Sequence, residues 1–226
     1  MAELILALDL PSRTEALRFL DRVPALRWVK VGSLLMTAEG PALVRELVGR
    51  GLRVFLDLKW HDIPSTVASA VEAAAGLGVR LATVHALGGT EMLRAAAART
   101  GDRLSLVGVT VLTSHAESDY AELTGRAAVS LGDEALRLGR LAVESGLSGV
   151  VCSAHEIAAM RAGLGADALI VVPGIRRPGD AVGDQSRVAG PREAVRLGAT
   201  HLVVGRPILA APDPAAVLRE FLTGEE

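Results

Sequence analysis

Lysine is almost missing from this chain. Of its 24 basic residues only Lys30 and Lys59 are lysine, and the rest are arginine. Asparagine is absent altogether, and Gln185 is the sole glutamine. A shortage of thermolabile amides suits a hot-living source, and a preference for arginine also follows from a GC-rich genome. Arginine therefore supplies positive charge wherever charge alone is needed. The two lysines that survive both sit inside apolar, strand-like runs. Such positions call for a compact ammonium that can give up a proton, which a guanidinium does not do.

Other shortages exclude whole classes of function. One cysteine, Cys152, cannot form an internal disulfide, which fits a reducing, cytoplasmic setting. The formal net charge is −2 and no basic block is present, so neither nucleic acid nor an acidic membrane surface is an expected partner. No apolar run is long enough to span a bilayer. The start, Met-Ala-Glu-Leu-Ile, lacks a cationic segment leading into an apolar stretch and a cleavage site, so no secretory signal is expected. Half of the 226 residues are hydrophobic, which suits one globular domain over residues 1–226. No linker, low-complexity segment or solenoid period interrupts it.

Short aliphatic runs alternate with longer Ala-, Leu- and Arg-rich segments of helical pattern. The runs predict strands at Leu4–Asp9, Trp28–Ser33, Val54–Lys59, Leu81–His85, Ser105–Leu112, Gly149–Ser153, Leu169–Pro173 and His201–Gly205. Helices are predicted near 13–23, 37–50, 64–77, 89–100, 133–146, 154–163, 189–198 and 213–223, with Ser12 and Ser153 as N-caps. Eight strand–helix units predict an α/β fold, a closed (β/α)8 TIM barrel, with an open doubly wound sheet as the alternative. Side-chain alternation favours the barrel. Leu4, Leu6 and Leu8 share one face of the first strand, with Ile5, Ala7 and Asp9 on the other; Val29 and Val31 oppose Trp28, Lys30 and Gly32. One face is aliphatic throughout, as packing against helices requires. The other ends in a polar group near the C-terminal end of its strand, where barrel active sites lie. The longest predicted connections, 113–132 and 174–189, follow strands and have the length of lids or binding loops.

The densest chemistry lies in DLKWHDIP, Asp57 to Pro64. Alternation aims Asp57 and Lys59 one way and Val54, Leu56 and Leu58 the other. A charged face on a buried strand is costly unless its charges are paired or used. Lys30, on the neighbouring strand, completes an alternating set in which each lysine stays protonated and each aspartate ionised. An ammonium so held can act as a general acid toward a developing carbanion. Schiff-base chemistry is the alternative for a barrel lysine, but it needs a neutral amine, which adjacent carboxylates oppose. Asp57, His61, Asp62 and His85 could together approach a divalent cation, but the intervening lysine repels one and the histidines lack paired ligand spacing, so no metal is favoured. At the other end of the chain, VVPGIR and LVVGRP close the seventh and eighth strands. Barrels often bind phosphate with the loops that follow those strands. Gly174 and Gly205 allow close backbone approach, Arg176 or Arg206 supplies a bidentate cation, and Gln185 in the intervening loop can close over the anion.

LALDL, KVG, DLKWHDIP, VHALGG, VTVLTS, VVPGIR with a following DQ, and LVVGRPI occur in that order along essentially the whole chain. In this the sequence resembles the orotidine 5'-phosphate decarboxylase family. Trp60 stands where the family often has another aromatic. Relatives that share the barrel core, 3-keto-L-gulonate 6-phosphate decarboxylase and hexulose 6-phosphate synthase, are magnesium-dependent and typically carry a metal-binding glutamate at the end of the second strand. Lys30 occupies that region here, which supports the metal-free branch. The resemblance implies cofactor-independent conversion of orotidine 5'-phosphate to UMP and carbon dioxide in pyrimidine synthesis. It implies a charged array of Lys30, Asp57, Lys59 and Asp62, with Lys59 protonating C6 of the pyrimidine. Asp9 would bind the ribose, Thr113 and Ser114 the base, and Arg176, Gln185, Gly205 and Arg206 the phosphate. Asp62 and Thr66, with Ile63 between them also placed against substrate, would reach the neighbouring subunit's site in a homodimer. A magnesium-dependent sugar-phosphate lyase and a catalytically silent phosphosugar-binding barrel are the competing readings.

Overall fold

A computed structural model describes residues 2–177 and 189–223. Eight parallel strands close into a barrel in sequence order: β1 (Glu3–Ala7), β2 (Trp28–Gly32), β3 (Arg53–Trp60), β4 (Leu81–His85), β5 (Ser105–Val109), β6 (Gly149–Val151), β7 (Leu169–Pro173) and β8 (His201–Val204). Pairing of Glu3–Leu6 with His201–Val204 closes the ring, which excludes the open sheet. Around it lie α1 (Arg13–Leu20), α2 (Ser33–Gly49), α3 (Pro64–Gly76), α4 (Gly89–Ala97), α5 (Glu117–Thr124), α6 (Leu131–Glu144), α7 (Ile157–Leu164), α8 (Pro191–Leu197), α9 (Arg206–Leu209) and α10 (Pro214–Thr223).

The two faces of each strand divide as the alternation predicts. Leu4, Leu6, Leu8, Val29, Val31, Val54 and Leu56 belong to the large core between sheet and helices. Ile5, Ala7, Trp28, Phe55, Leu81, Val107, Val171 and Val203 form a second core inside the barrel. The barrel is thus plugged with apolar side chains up to the level at which polar ones begin.

Local signals set several boundaries. The Ser12 hydroxyl accepts from Glu15 N–H and starts α1. Ser153 N–H donates to the Glu156 carboxylate at 2.8 Å, so β6 gives way early to a turn of 3₁₀ helix, Ala154–Glu156. β5 also stops before its expected end at Leu112. Just past Val109, the Thr110 hydroxyl and backbone N–H both donate to Val151 O, at 3.0 and 3.3 Å. The second helix starts at Ser33, four residues earlier than expected, and bends at Gly40, φ +64°, before Pro41. Proline disfavours helical backbone in the residue before it, and only glycine takes this φ readily.

The connection 113–132, expected as a long loop, contains α5. Glu117 and Asp119 complement its N-terminus and Gly125, φ +66°, ends it. Its apolar face is too short to register as periodicity, since only Tyr120 and Ala121 are buried. What fixes α5 to α6 is polar. The Tyr120 hydroxyl donates to Glu134 Oε1 at 3.2 Å, Arg137 grips both Glu134 oxygens at 2.7 and 2.9 Å, and Arg126 adds a bond at 3.1 Å. Glu134 is buried, and these guanidinium bonds hold its carboxyl down at about 2. A depressed carboxylate pKa adds stability above the unfolded value that is lost as pH falls through the folded one. Glu134→Ala should lower stability by about 2 kcal/mol at pH 7. Urea midpoints measured from pH 7 down to 3 should fall more steeply below pH 4.5 in the parent than in Glu134→Gln; parallel pH profiles would contradict the network's role.

Candidate active site

A cavity of about 560 Å³ opens at the C-terminal end of the barrel. Its walls include Asp9 after β1, Lys30 on β2, Asp57 and Lys59 on β3, Thr113 after β5, Gly174 and Arg176 after β7, and Gly205 and Arg206 after β8. Nine of the sequence-predicted site residues therefore share one chamber. Asp62, Ile63, Thr66 and Ser114 do not line it, and all four are exposed. Asp62 bonds locally, accepting Ile63 N–H at 2.6 Å. Gln185 lies outside the described residues. The cavity also has an apolar side that motif reading passed over: Phe55, Val109, Val111, Val151, Cys152, Val171, Pro173 and Val203. Phe55, Val171 and Val203 are carried by the inward strand alternation that sets Lys30.

The charges form a connected row. Lys59 Nζ lies 2.9 Å from Asp57 Oδ1, Lys30 Nζ lies 3.5 Å from Asp57 Oδ2, and Lys30 Nζ lies 3.4 Å from Asp9 Oδ1. The side chains of Lys30 and Asp57 are each 13% exposed, so their pairing is made in partly desolvated surroundings. The Cβ of a residue other than glycine at Gly32 would come within 3.1 Å of Lys30 Nζ. The chamber sets two carboxylates against two lysines and two arginines. That predominantly cationic lining favours an anionic occupant.

Asp57 and Lys59 meet, but not by plain strand alternation. β3 and β4 pair regularly at Phe55–Leu81 and Leu56–Ala82, and then again only at Trp60–Val84. Three β3 residues, 57 to 59, thus stand opposite Thr83 alone. Within this bulge Lys59 adopts φ +51°, and no other described non-glycine residue has a positive φ. Bulges re-aim side chains beside active sites, and left-handed backbone in such a residue carries a strain of about 1–2 kcal/mol. Thr83, fully buried, was not singled out by sequence reasoning. Its hydroxyl accepts Lys59 N–H at 2.8 Å and donates to Asp57 Oδ1 at 3.0 Å.

The histidines stand apart from this row. His85 stacks on His61 with ring centroids 5.5 Å apart, and its Nδ1 accepts Leu87 N–H. Burial, reinforced by His61, Lys59 and His115, lowers its pKa to about 4. It is therefore neutral at pH 7 and lies outside the cavity wall. Among the described residues no three His, Cys, Asp or Glu side chains gather as a metal-ligand set, and no helix is long and apolar enough to cross a membrane.

The family model described as Orotidine 5'-phosphate decarboxylase / HUMPS family matches residues 2–221. The chain belongs to this family. It is 50% identical over 221 residues to the orotidine 5'-phosphate decarboxylase of Anaeromyxobacter dehalogenans, covering 96% of each chain. The Vibrio vulnificus protein of the same name is 48% identical over 226 residues, covering 98% of this chain and 97% of that one. Among solved structures, orotidine 5'-phosphate decarboxylase from Lactobacillus acidophilus superposes with a TM-score of 0.89 at 34% identity, covering 99% and 98% of the two chains. The eight-stranded barrel is thus the architecture of this family, and its charged row stands at the barrel's functional end.

Proposed function

We propose that this family member decarboxylates orotidine 5'-phosphate to UMP, in the cytoplasm, with neither metal nor organic cofactor. The observation that carries the reading is the Lys30–Asp57–Lys59 row at the wall of a cavity that also presents Arg176 and Arg206. The chemical problem is a carbanion at C6 of the pyrimidine. The bond from C6 to the carboxylate breaks, carbon dioxide leaves, and the electron pair stays on C6. The Lys59 ammonium stabilises that charge and then transfers its proton to C6. Fixed charge aimed at where charge develops is the largest contribution in many enzymes. Asp57 holds Lys59 in place through the 2.9 Å ion pair.

Arg176, Gly205 and Arg206, with Gln185, bind the phosphate. Guanidinium groups suit its oxygens, and a lining with more cationic than anionic side chains suits a phosphate monoester dianion. Contacts to this unreacting end supply binding energy that organises the reacting end. Asp9 holds the ribose, and Thr113 and Ser114 address the base. Phe55, Val109 and Val171 give the chamber an apolar side that favours field over solvation.

Asp62, Ile63 and Thr66 serve the site of a second copy in a homodimer. Their exposure and their position outside this chain's own cavity support that reading. Ile63, 64% exposed, is apolar surface that a partner would cover.

Lys59→Ala should abolish turnover while UMP still binds in isothermal titration. Turnover near the parent's would contradict the proton-donor role. Mixing inactive Lys59→Ala with inactive Asp62→Ala should restore part of the activity, because a hybrid dimer contains one site with both residues intact. No recovery, with subunit exchange verified by mass spectrometry, would count against shared sites.

A further inference from the structure

We propose that Thr83 is a positioning residue that sets the geometry of the catalytic pair Asp57 and Lys59. The inference rests on the roles proposed for that pair and adds a residue outside the substrate cavity.

The need for such a residue follows from the register. Three β3 residues face one β4 residue, so regular ladder bonding lapses where the charged pair sits. Lys59 also takes a backbone conformation, φ +51°, that a lysine has no intrinsic reason to adopt. A strained backbone persists only where its surroundings over-determine it. Thr83 supplies that constraint. One hydroxyl offers one donor and acceptor lone pairs, and both functions are used here. It accepts the Lys59 backbone N–H at 2.8 Å and donates to Asp57 Oδ1 at 3.0 Å. The same Asp57 oxygen accepts Lys59 Nζ at 2.9 Å. A closed circuit results: Lys59 backbone to Thr83, Thr83 to Asp57, Asp57 to the Lys59 ammonium. The main-chain link fixes where the lysine side chain starts, and the carboxylate link fixes where it ends.

The surroundings make the hydroxyl hard to replace. Thr83 is fully buried, so water is not at hand to take over either bond. Asp57, to which Thr83 donates, draws its partners from three strands: Lys30 of β2 at 3.5 Å, Lys59 of β3 at 2.9 Å and Thr83 of β4 at 3.0 Å. Thr83 does not line the cavity, so it acts through Asp57 and Lys59 without touching substrate. Loss of a hydrogen bond to a charged group converts to a rate loss of roughly tenfold to a hundredfold if the bond's benefit is expressed in the transition state.

The test compares Thr83→Val, which keeps the shape and removes the hydroxyl, with Thr83→Ser, which keeps the hydroxyl and removes the methyl. Two readouts are taken on folded dimeric or monomeric protein as it is purified. In steady-state kinetics Thr83→Val should lose kcat by about tenfold or more, with UMP affinity unchanged, and Thr83→Ser should recover most of the loss. In amide hydrogen exchange followed by NMR, the Lys59 amide should be protected in the parent and in Thr83→Ser and exposed in Thr83→Val. Equal loss of kcat in both variants would assign the effect to packing and overturn the proposal, as would a Lys59 amide that stays protected in Thr83→Val. A parent protein that fails to turn over orotidine 5'-phosphate would refute the reading of the activity. The exchange data would still decide whether Thr83 holds Lys59.

Discussion

A single carboxylate, that of Asp57, holds the site together. It lies between two ammonium groups, 2.9 Å from Lys59 Nζ and 3.5 Å from Lys30 Nζ, and it accepts the Thr83 hydroxyl as well. Without it two lysines would face one another in partly desolvated surroundings, where like charge is costly. With it they form a row of alternating sign. The rest of the fold serves to hold that row at a fixed place. β2, β3 and β4 bring its members side by side, and the plugged interior beneath, from Trp28 to Phe55, gives it a rigid floor.

On the proposed reading, the barrel also keeps substrate binding apart from chemistry. The charged row belongs to β2 and β3, while the arginines follow β7 and β8. Strand order around a closed ring brings these ends of the chain to one mouth even though Asp57 and Arg206 are far apart in sequence. A ligand with a phosphate at one end and a reacting carboxylate at the other fits that division. Elsewhere polar bonding replaces apolar contact where the latter is thin: α5, with two buried side chains, is tied to α6 by Tyr120 and the following Arg126, which bond Glu134 of α6, held also by Arg137 of that same helix.

Much of this was legible in the residues themselves. The period of two on the first strands divided Leu4, Leu6 and Leu8 from Ile5 and Ala7, and the structure divides them the same way. Asp9, Lys30, Asp57, Lys59, Thr113, Arg176 and Arg206 were each readable as polar groups at strand ends, and one cavity gathers them. The bulge was not legible. Flat alternation places Asp57 and Lys59 together for the wrong reason, because the positive φ of Lys59 depends on a tertiary partner, Thr83, more than 20 residues away. A buried threonine on an apolar strand is indistinguishable by pattern from a β-branched core residue. α5 was missed because two inward residues give no period. Asp62, Ile63 and Thr66 were assigned by family likeness alone, and a single chain leaves them on its surface.

The claim at the centre of this account is that fixed lysine and aspartate charges, without a metal, carry out the decarboxylation. It is tested most directly by adding orotidine 5'-phosphate to the purified protein in excess chelator and following the pyrimidine absorbance. The account predicts full conversion to UMP at a rate that added magnesium does not change. Loss of turnover in chelator, restored by magnesium, would contradict it.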